Sequence, residues 1–191
     1  MAAMLSSVDS ATLVLLSGGI DSCATLALYR RRAEPVVAMF VEYGQTAAKH
    51  EHAAAARVAE YYETNVRTAT LTGLGNFHEG YIRGRNALLL QVALTAAPFE
   101  VGQIAIGLHA GTSYPDCSPF FVSEMQRSFD VYCSGRLRVV APFIDDDKRS
   151  VVEFCRESAV PLHLTYSCER GTMPPCGTCL SCLDRAAFDV S

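Results

Sequence analysis

Along most of the chain, short apolar runs alternate with longer stretches whose apolar positions recur at helical spacing. Residues 11–16 (ATLVLL) and 35–43 (PVVAMFVEY) read as strands, as do 65–71, 102–108 and 137–141. Between them, residues 20–32, the Ala-rich 45–62, 86–97 (closed by Pro98), 119–133 (opened by Pro119) and 148–158 read as helices. Residues 72–84 carry four glycines and read as a loop. Strands that are apolar throughout are buried on both faces, and strands that alternate with helices build a parallel sheet. The pattern predicts an α/β fold, an open, doubly wound, parallel five-stranded sheet of Rossmann-like type. In such a sheet ligands sit at the carboxyl ends of the strands, near the switch in strand order. Beyond Pro161 the alternation stops. Residues 161–191 are Cys- and turn-rich and too few for a core of their own. The expected organisation is therefore an α/β domain over 1–160 with a small metal-binding segment over 161–191 packed on it. Residues 1–10 are small and polar and are expected to fray.

Composition narrows the class. Half of the 191 residues are hydrophobic and 19% are charged, enough apolar material for a sizeable core. No apolar run approaches the roughly 20 residues of a membrane helix, and the N-terminus lacks the basic start of a signal peptide. A soluble cytoplasmic protein with no membrane partner is expected. The formal charge of −4 argues against a nucleic-acid partner. Lysine occurs only at Lys49 and Lys148, so fixed cationic forks must come from Arg.

Ser17, Gly18, Gly19, Ile20, Asp21 and Ser22 follow the first strand and open the first helix. Glycines there let backbone amides turn toward an anion, and the helix N-terminus adds partial positive charge. The serines can donate hydroxyl bonds, and Asp21 is placed to hold a phosphate-bound Mg²⁺. The run is neither a Walker loop, which ends in Lys, nor G-x-G-x-x-G. A second constellation lies in the tail, where Cys168, Cys176, Cys179 and Cys182 give C-x7-C-x2-C-x2-C. Four thiolates so close suit a closed tetrahedral Zn²⁺ site. An iron–sulfur cluster is the rival, since C-x2-C-x2-C also serves ferredoxins. Zinc is preferred because four thiolates fill its valences. A filled site should pin the tail on the sheet and fix Arg170 and Arg185 near the cleft. Cys23, Cys133 and Cys155 fall on helices as core filler, and Cys117 sits in a site loop.

The run SGGIDS resembles the pyrophosphatase loop of the ATP-pyrophosphatase superfamily, which implies an adenine nucleotide α-hydrolase type of sheet and an adenylation step. From about residue 13 to 188 the chain resembles the 7-cyano-7-deazaguanine synthase (QueC) family. The matching pieces are Glu42-Tyr43-Gly44-Gln45, Gly84-Arg85-Asn86, Tyr114-Pro115-Asp116-Cys117, Lys148 and Thr165-Tyr166-Ser167-Cys168. The resemblance implies an ATP-dependent carbon–nitrogen ligase. It would adenylate 7-carboxy-7-deazaguanine, release pyrophosphate, and let ammonia displace AMP to give an amide. A second activation would dehydrate the amide to the nitrile of queuosine biosynthesis.

Carried over residue by residue, the resemblance implies that residues 17–22, with Gly44 and Gln45, hold ATP and Mg²⁺. Lys148 would meet phosphoryl charge, although it also reads as a solvated helix-start lysine after Asp145-Asp146-Asp147. Arg85 would pair with phosphate or carboxylate, while Asn86 reads equally as only a helix cap. Asp116 would take Mg²⁺ or a guanine-like N–H edge, or serve only as a turn residue. Tyr114 and Tyr166 would stack on a flat heterocycle or merely pack. Two departures from the family pattern stand out: a short stretch over 72–84, and a short loop before Tyr114 with His109, Gly111 and Thr112 where Asn and Tyr-Ser-Gly are expected. His109 and His163 are candidate acid–base groups, a type more often satisfied structurally. The alternative function keeps the adenylate but conjugates it to a protein acceptor, as relatives in bacterial antiviral defence gene sets invite. tRNA thiolation and a non-catalytic nucleotide-binding module fit less well. A homodimer is compatible with the sequence.

Overall fold

A computed structural model describes residues 10–78 and 80–190. The expectation of fraying at the N-terminus falls on residues outside that range, Ser10 excepted. Strands β1 (Ala11–Leu15), β2 (Val36–Glu42), β3 (Val66–Thr70), β4 (Val101–Ala105) and β5 (Arg138–Val140) form one parallel sheet in the order β3-β2-β1-β4-β5. The helices are α1 (Ile20–Arg31), α2 (Ala48–Tyr61), α3 (Arg85–Ala96), α4 (Pro119–Cys133), α5 (Lys148–Glu157) and α6 (Leu180–Ala187), with a 3₁₀ turn at Leu162–Leu164. The doubly wound five-stranded sheet is as the sequence predicts.

The apolar strand runs supply both faces at once, because successive side chains point to opposite sides. Val14, Leu16, Ala38, Phe40 and Ala105 meet α1, α2 and α5 on one face. Leu13, Leu15, Met39, Val41 and Ile104 meet α3 and α4 on the other. Phe40 and Phe129 are fully buried, one in each layer; each such side chain contributes about 1.5–3 kcal/mol. Cys23 and Cys155 are also fully buried, and burial pushes the Cys155 thiol up to about 12, so both are inert filler.

Helix ends follow local chemistry. Ser118 caps α4 by accepting the Phe121 N–H at 3.2 Å, with Pro119 in the first turn. Asp147 caps α5 through the Ser150 N–H at 2.8 Å. The chain leaves β1 toward β2 and β3, then returns to the other side of β1 for β4 and β5. The switch point therefore lies between β1 and β4.

Two boundaries lie three residues from the sequence reading, the other ends of the strands and helices it named lie within one, and one helix is new. α2 begins at Ala48 rather than residue 45, because Gln45 is spent as a bolt for the preceding turn. β4 ends at Ala105 rather than 108; only Ile106 N–H still reaches β5, at Val140 O. The tail contains α6, which the turn-rich composition concealed. It is a short amphipathic helix with Cys182 inward and Leu180 and Leu183 exposed. Tyr166, Cys168, Cys179 and Cys182 pack against Ala47 and Ala54 at the start of α2.

Candidate functional site

A cleft of about 600 Å³ opens at the carboxyl ends of β1, β2 and β4, and takes in the tail as its far wall. Ser17 and residues 19–22 form its floor at the switch point, and Gly18 lies behind them outside the lining. Gly18 sits at φ +84°, and a Cβ there would lie 2.5 Å from the Glu51 carbonyl oxygen and 2.8 Å from the Ala55 nitrogen. Only glycine lets the loop lie this close to α2. The Ser17 and Ser22 hydroxyls are 3.1 Å apart, the Gly19 N–H donates to Ser17 Oγ at 3.4 Å, and the Ser22 hydroxyl donates to Gly19 O at 3.0 Å. Gly19 ends the loop as N-cap of α1 without a side-chain cap. The arrangement offers hydroxyls and a helix N-terminus to an anion.

Asp21 is the charged group of this loop. Lys148, which opens α5 beyond β5, donates through Nζ to Asp21 Oδ1 at 2.6 Å. Only 16% of the Lys148 side chain is exposed, so it is no solvated helix-start lysine. His109 Nε2 stands 4.0 Å from the other carboxylate oxygen, Oδ2. Burial lowers the His109 pKa, countered by Asp21 and reinforced by Lys148. Gly107 packs so tightly under α1 that a Cβ there would be 2.7 Å from the Asp21 carbonyl carbon.

The β2 side of the cleft is braced. Gly44 has φ +95° and lies against the Gly75 carbonyl. Gln45 is buried and fully engaged: its Nε2 donates to Val41 O and Glu51 Oε2, both at 3.1 Å, and its Oε1 accepts the Tyr43 N–H at 2.8 Å. It shapes the wall rather than presenting free groups. Glu51 faces the cleft from α2, a residue the sequence reading passed over because it sits among alanines and histidines. Burial raises its pKa, against the Gln45 hydrogen bond and the Arg85 charge.

Arg85 and Asn86 start α3 and line the cleft beside Tyr43. Asn86 is buried and donates to Asp116 O at 3.3 Å, tying α3 to the loop before α4. Tyr114 and Cys117 reach the cleft, but Asp116 is not among its lining residues. The Asp116 side chain is buried, and its Oδ1 has no hydrogen-bond partner among the described residues.

The tail closes the cleft. Tyr166 donates its backbone N–H to Gly18 O at 2.9 Å and its hydroxyl to Thr172 O at 2.8 Å, and its ring packs on His50. It is wall, with its polar groups spent, whereas Tyr114 stacks with Tyr81 across the mouth. Glu169 accepts from Gly80 N–H at 2.8 Å and from the Ser181 hydroxyl at 2.7 Å, latching loop 72–84 to α6. Ser181 and Asp184 line the cleft; Arg170 and Arg185, expected near it, do not. Arg185 instead donates to Thr165 Oγ1 at 2.7 Å and Ser167 Oγ at 3.4 Å as a bolt within the tail. His163 is not a lining residue either.

Cys168, Cys176, Cys179 and Cys182 come together with all four sulfurs within 4.8 Å of one another. Burial raises the Cys168 pKa, but amide and hydroxyl donors from Cys176 and Thr172 outweigh it and bring the thiol down to about 5. Cys176 accepts N–H groups from Thr178 and Cys179, which lower its pKa as well. The set is able to hold a metal ion.

Comparison with known proteins gives a consistent picture. The family described as "Queuosine biosynthesis protein QueC" matches residues 11–79 and 63–189. The chain is 34% identical over 206 residues to the 7-cyano-7-deazaguanine synthase of Aquifex aeolicus, covering 91% of this chain and 93% of that one. It is 32% identical over 209 residues to the enzyme of that name from Persephonella marina, covering 93% and 91%. Among solved structures, the U34-tRNA thiolase NcsA of Methanococcus maripaludis, with its [4Fe-4S] cluster, aligns with TM-score 0.53 at 13% identity over 95% of this chain and 65% of that one. A predicted subunit of a tRNA methyltransferase from Methanocaldococcus jannaschii aligns with TM-score 0.57 at 12% identity, covering 77% and 74%. At such identities the structural matches speak for the fold alone.

Proposed function

The chain belongs to the QueC family, and on that premise we propose that it is an ATP-dependent carbon–nitrogen ligase that activates 7-carboxy-7-deazaguanine. ATP lies with its phosphates over residues 17–22. A carboxylate oxygen of the acid attacks the α-phosphorus, the bond from that phosphorus to the bridging oxygen breaks, and pyrophosphate leaves. Ammonia adds to the acyl carbon, AMP departs with the former carboxylate oxygen, and the amide forms. In a second round the amide oxygen attacks the α-phosphorus of another ATP and pyrophosphate leaves; the nitrogen then gives up both its protons and AMP departs with the amide oxygen, leaving the nitrile.

The observation that carries this reading is Lys148 on Asp21. A lysine from beyond β5 reaches the loop after β1 and meets its carboxylate at 2.6 Å, at the switch point of a parallel sheet. There Lys148 can turn from Asp21 to a phosphate oxygen, opposing the charge that grows on the leaving group. Asp21, with Asp184 across the cleft, supplies the hard oxygen donors that suit Mg²⁺. Mg²⁺ held there would neutralise polyphosphate charge. Arg85 is the cation nearest Tyr43 and suits the carboxylate of the acid, and Tyr114 at the mouth suits its flat ring.

The tail metal in this reading is zinc. One ion held at about 2.3 Å by four thiolates brings the sulfurs to about 3.8 Å apart, and Cys176 and Cys182 sulfurs stand 3.9 Å apart. A multi-iron cluster, with a separate iron for each thiolate, spreads them further.

Incubation with ATP, Mg²⁺, the acid and ammonium should release AMP and pyrophosphate and yield amide and nitrile by mass spectrometry. A parallel incubation with protein acceptors tests conjugation: a deazaguanine acyl mass on protein without nitrile would move the assignment to the protein-modifying ligase. ADP and phosphate as products, or no response to the acid, would overturn the reading.

A further inference from the structure

His109 is held more firmly than a residue in an irregular loop needs to be. It follows β4 at the switch point and makes a parallel bridge to Phe143 beyond β5. The next residue, Ala110, donates its N–H to Asp146 O at 2.7 Å. The Gly111 N–H donates to His109 Nδ1 at 3.0 Å. A Cβ on Gly111 would lie 2.9 Å from that nitrogen and 3.2 Å from the Lys148 backbone nitrogen, so glycine is what lets the amide come this close. The side chain itself is buried, at 10% exposure.

These contacts decide the tautomer. A ring nitrogen that accepts an amide N–H carries no proton, so the ring proton sits on Nε2. Nε2 faces Asp21 Oδ2 at 4.0 Å, while Oδ1 is taken by Lys148 at 2.6 Å. The carboxylate thus stands between a mobile cation and a fixed, uncharged N–H donor. The difference matters once phosphate draws Lys148 away. A second cation would follow the phosphate too, and an apolar side chain would leave the carboxylate free to swing. A neutral donor does neither. At 4.0 Å the pair is not yet hydrogen-bonded; hydrogen bonds of this kind are often long in the free enzyme and close in the substrate complex.

We propose that His109 is a positioning residue for Asp21: its Nε2–H holds the second carboxylate oxygen so that Asp21 stays aimed at the phosphate loop after Lys148 has turned to the nucleotide. The inference rests on the ligase reading above, and goes beyond it by giving a role to a residue outside the nucleotide loop. Loss of such orientation costs on the order of tenfold to a hundredfold in turnover, with little change in ATP affinity.

Two measurements test it. With histidine ¹⁵N-labelled in the full chain, His109 should show a bare Nδ1 and a protonated Nε2; an Nδ1–H tautomer overturns the proposal without any assay of activity. In AMP release with ATP, Mg²⁺ and the acid, His109→Leu should lower kcat by about tenfold to a hundredfold with KM for ATP within about twofold. His109→Asn, which keeps a short uncharged N–H donor, should recover most of the loss. Equal losses in both variants, or a loss confined to KM, overturn the proposal. If wild-type protein releases no AMP with the acid, the ligase reading fails while the tautomer still judges His109. Equal thermal midpoints of the variants and the parent separate orientation from misfolding.

Discussion

The sheet and the tail are built on different physics and meet at one cleft. The sheet is held by two layers of buried apolar side chains, and the paired charges of Asp21 and Lys148 stand at its strand ends outside those layers. The tail gives four residues, three of them cysteines, to a buried cluster completed by Ala47 and Ala54, and lays Leu162, Leu164, Phe188 and Val190 on the core of one sheet face. Its cleft-facing part depends on the cysteine set and on polar tethers. Tyr166 to Gly18 and Glu169 to Gly80 are those tethers, and both end on loops that border the cleft. Chemistry and stability are therefore separable in the sheet and joined in the tail.

Asp21→Ala should lower AMP release by on the order of a thousandfold. Metal content and far-UV circular dichroism should be unchanged, since the carboxylate packs against no core residue. A collapse of the fold in this variant would break the comparison.

Cys179→Ser, or removal of metal by a chelator, should do the reverse first. Bound metal by elemental analysis should fall from near one ion per chain, with a stability loss on the order of 4 kcal/mol. AMP release should fall as well, although no cysteine of the set touches the phosphate loop, because Tyr166 no longer braces Gly18. Intact turnover in metal-free protein would show the two regions to be independent.

Glu169→Gln keeps the shape of the tether and removes its charge. It should raise KM for the acid several-fold, with about 1–2 kcal/mol lost from the charged hydrogen bonds to Gly80 and Ser181. An unchanged KM would show that loop 72–84 does not depend on the tail.

The smallest effect concerns Glu51. Its folded pKa is raised above the ordinary 4.5 by burial, against Gln45 and Arg85. A raised acid favours the folded state at low pH and penalises it as pH climbs through the folded value. Glu51→Gln should therefore match the parent near pH 4 and exceed it by roughly 2–4 °C in Tm at pH 8, about 1 kcal/mol in a chain of this size. Thermal scans across that range check the sign. A gap that widens toward acid would reverse it.

The strand and helix alternation, the phosphate loop and the cysteine set were legible because each is local. Periodicity of two or 3.6 residues, a loop joined to one strand and one helix, and four cysteines within fifteen residues need no partner from elsewhere. The chain itself thus determined the doubly wound sheet, the glycine-serine turn that joins β1 to α1 and the grouping of the four thiols. What Lys148 does was not legible, since a lysine after three aspartates reads as solvated until β5 is set two places from β1 in the sheet. The same holds for Gln45 and Tyr166, whose polar groups are spent inside the wall, and for Glu51, Glu169 and Asp184, which reach the cleft from helix and tail. Side-chain roles of this kind depend on which strand ends become neighbours, a matter of the successive crossovers that separate Asp21 from Lys148 by 127 residues. Only the packed tertiary structure brings such groups within hydrogen-bond range, where direction and distance choose between a surface charge and a reactive one.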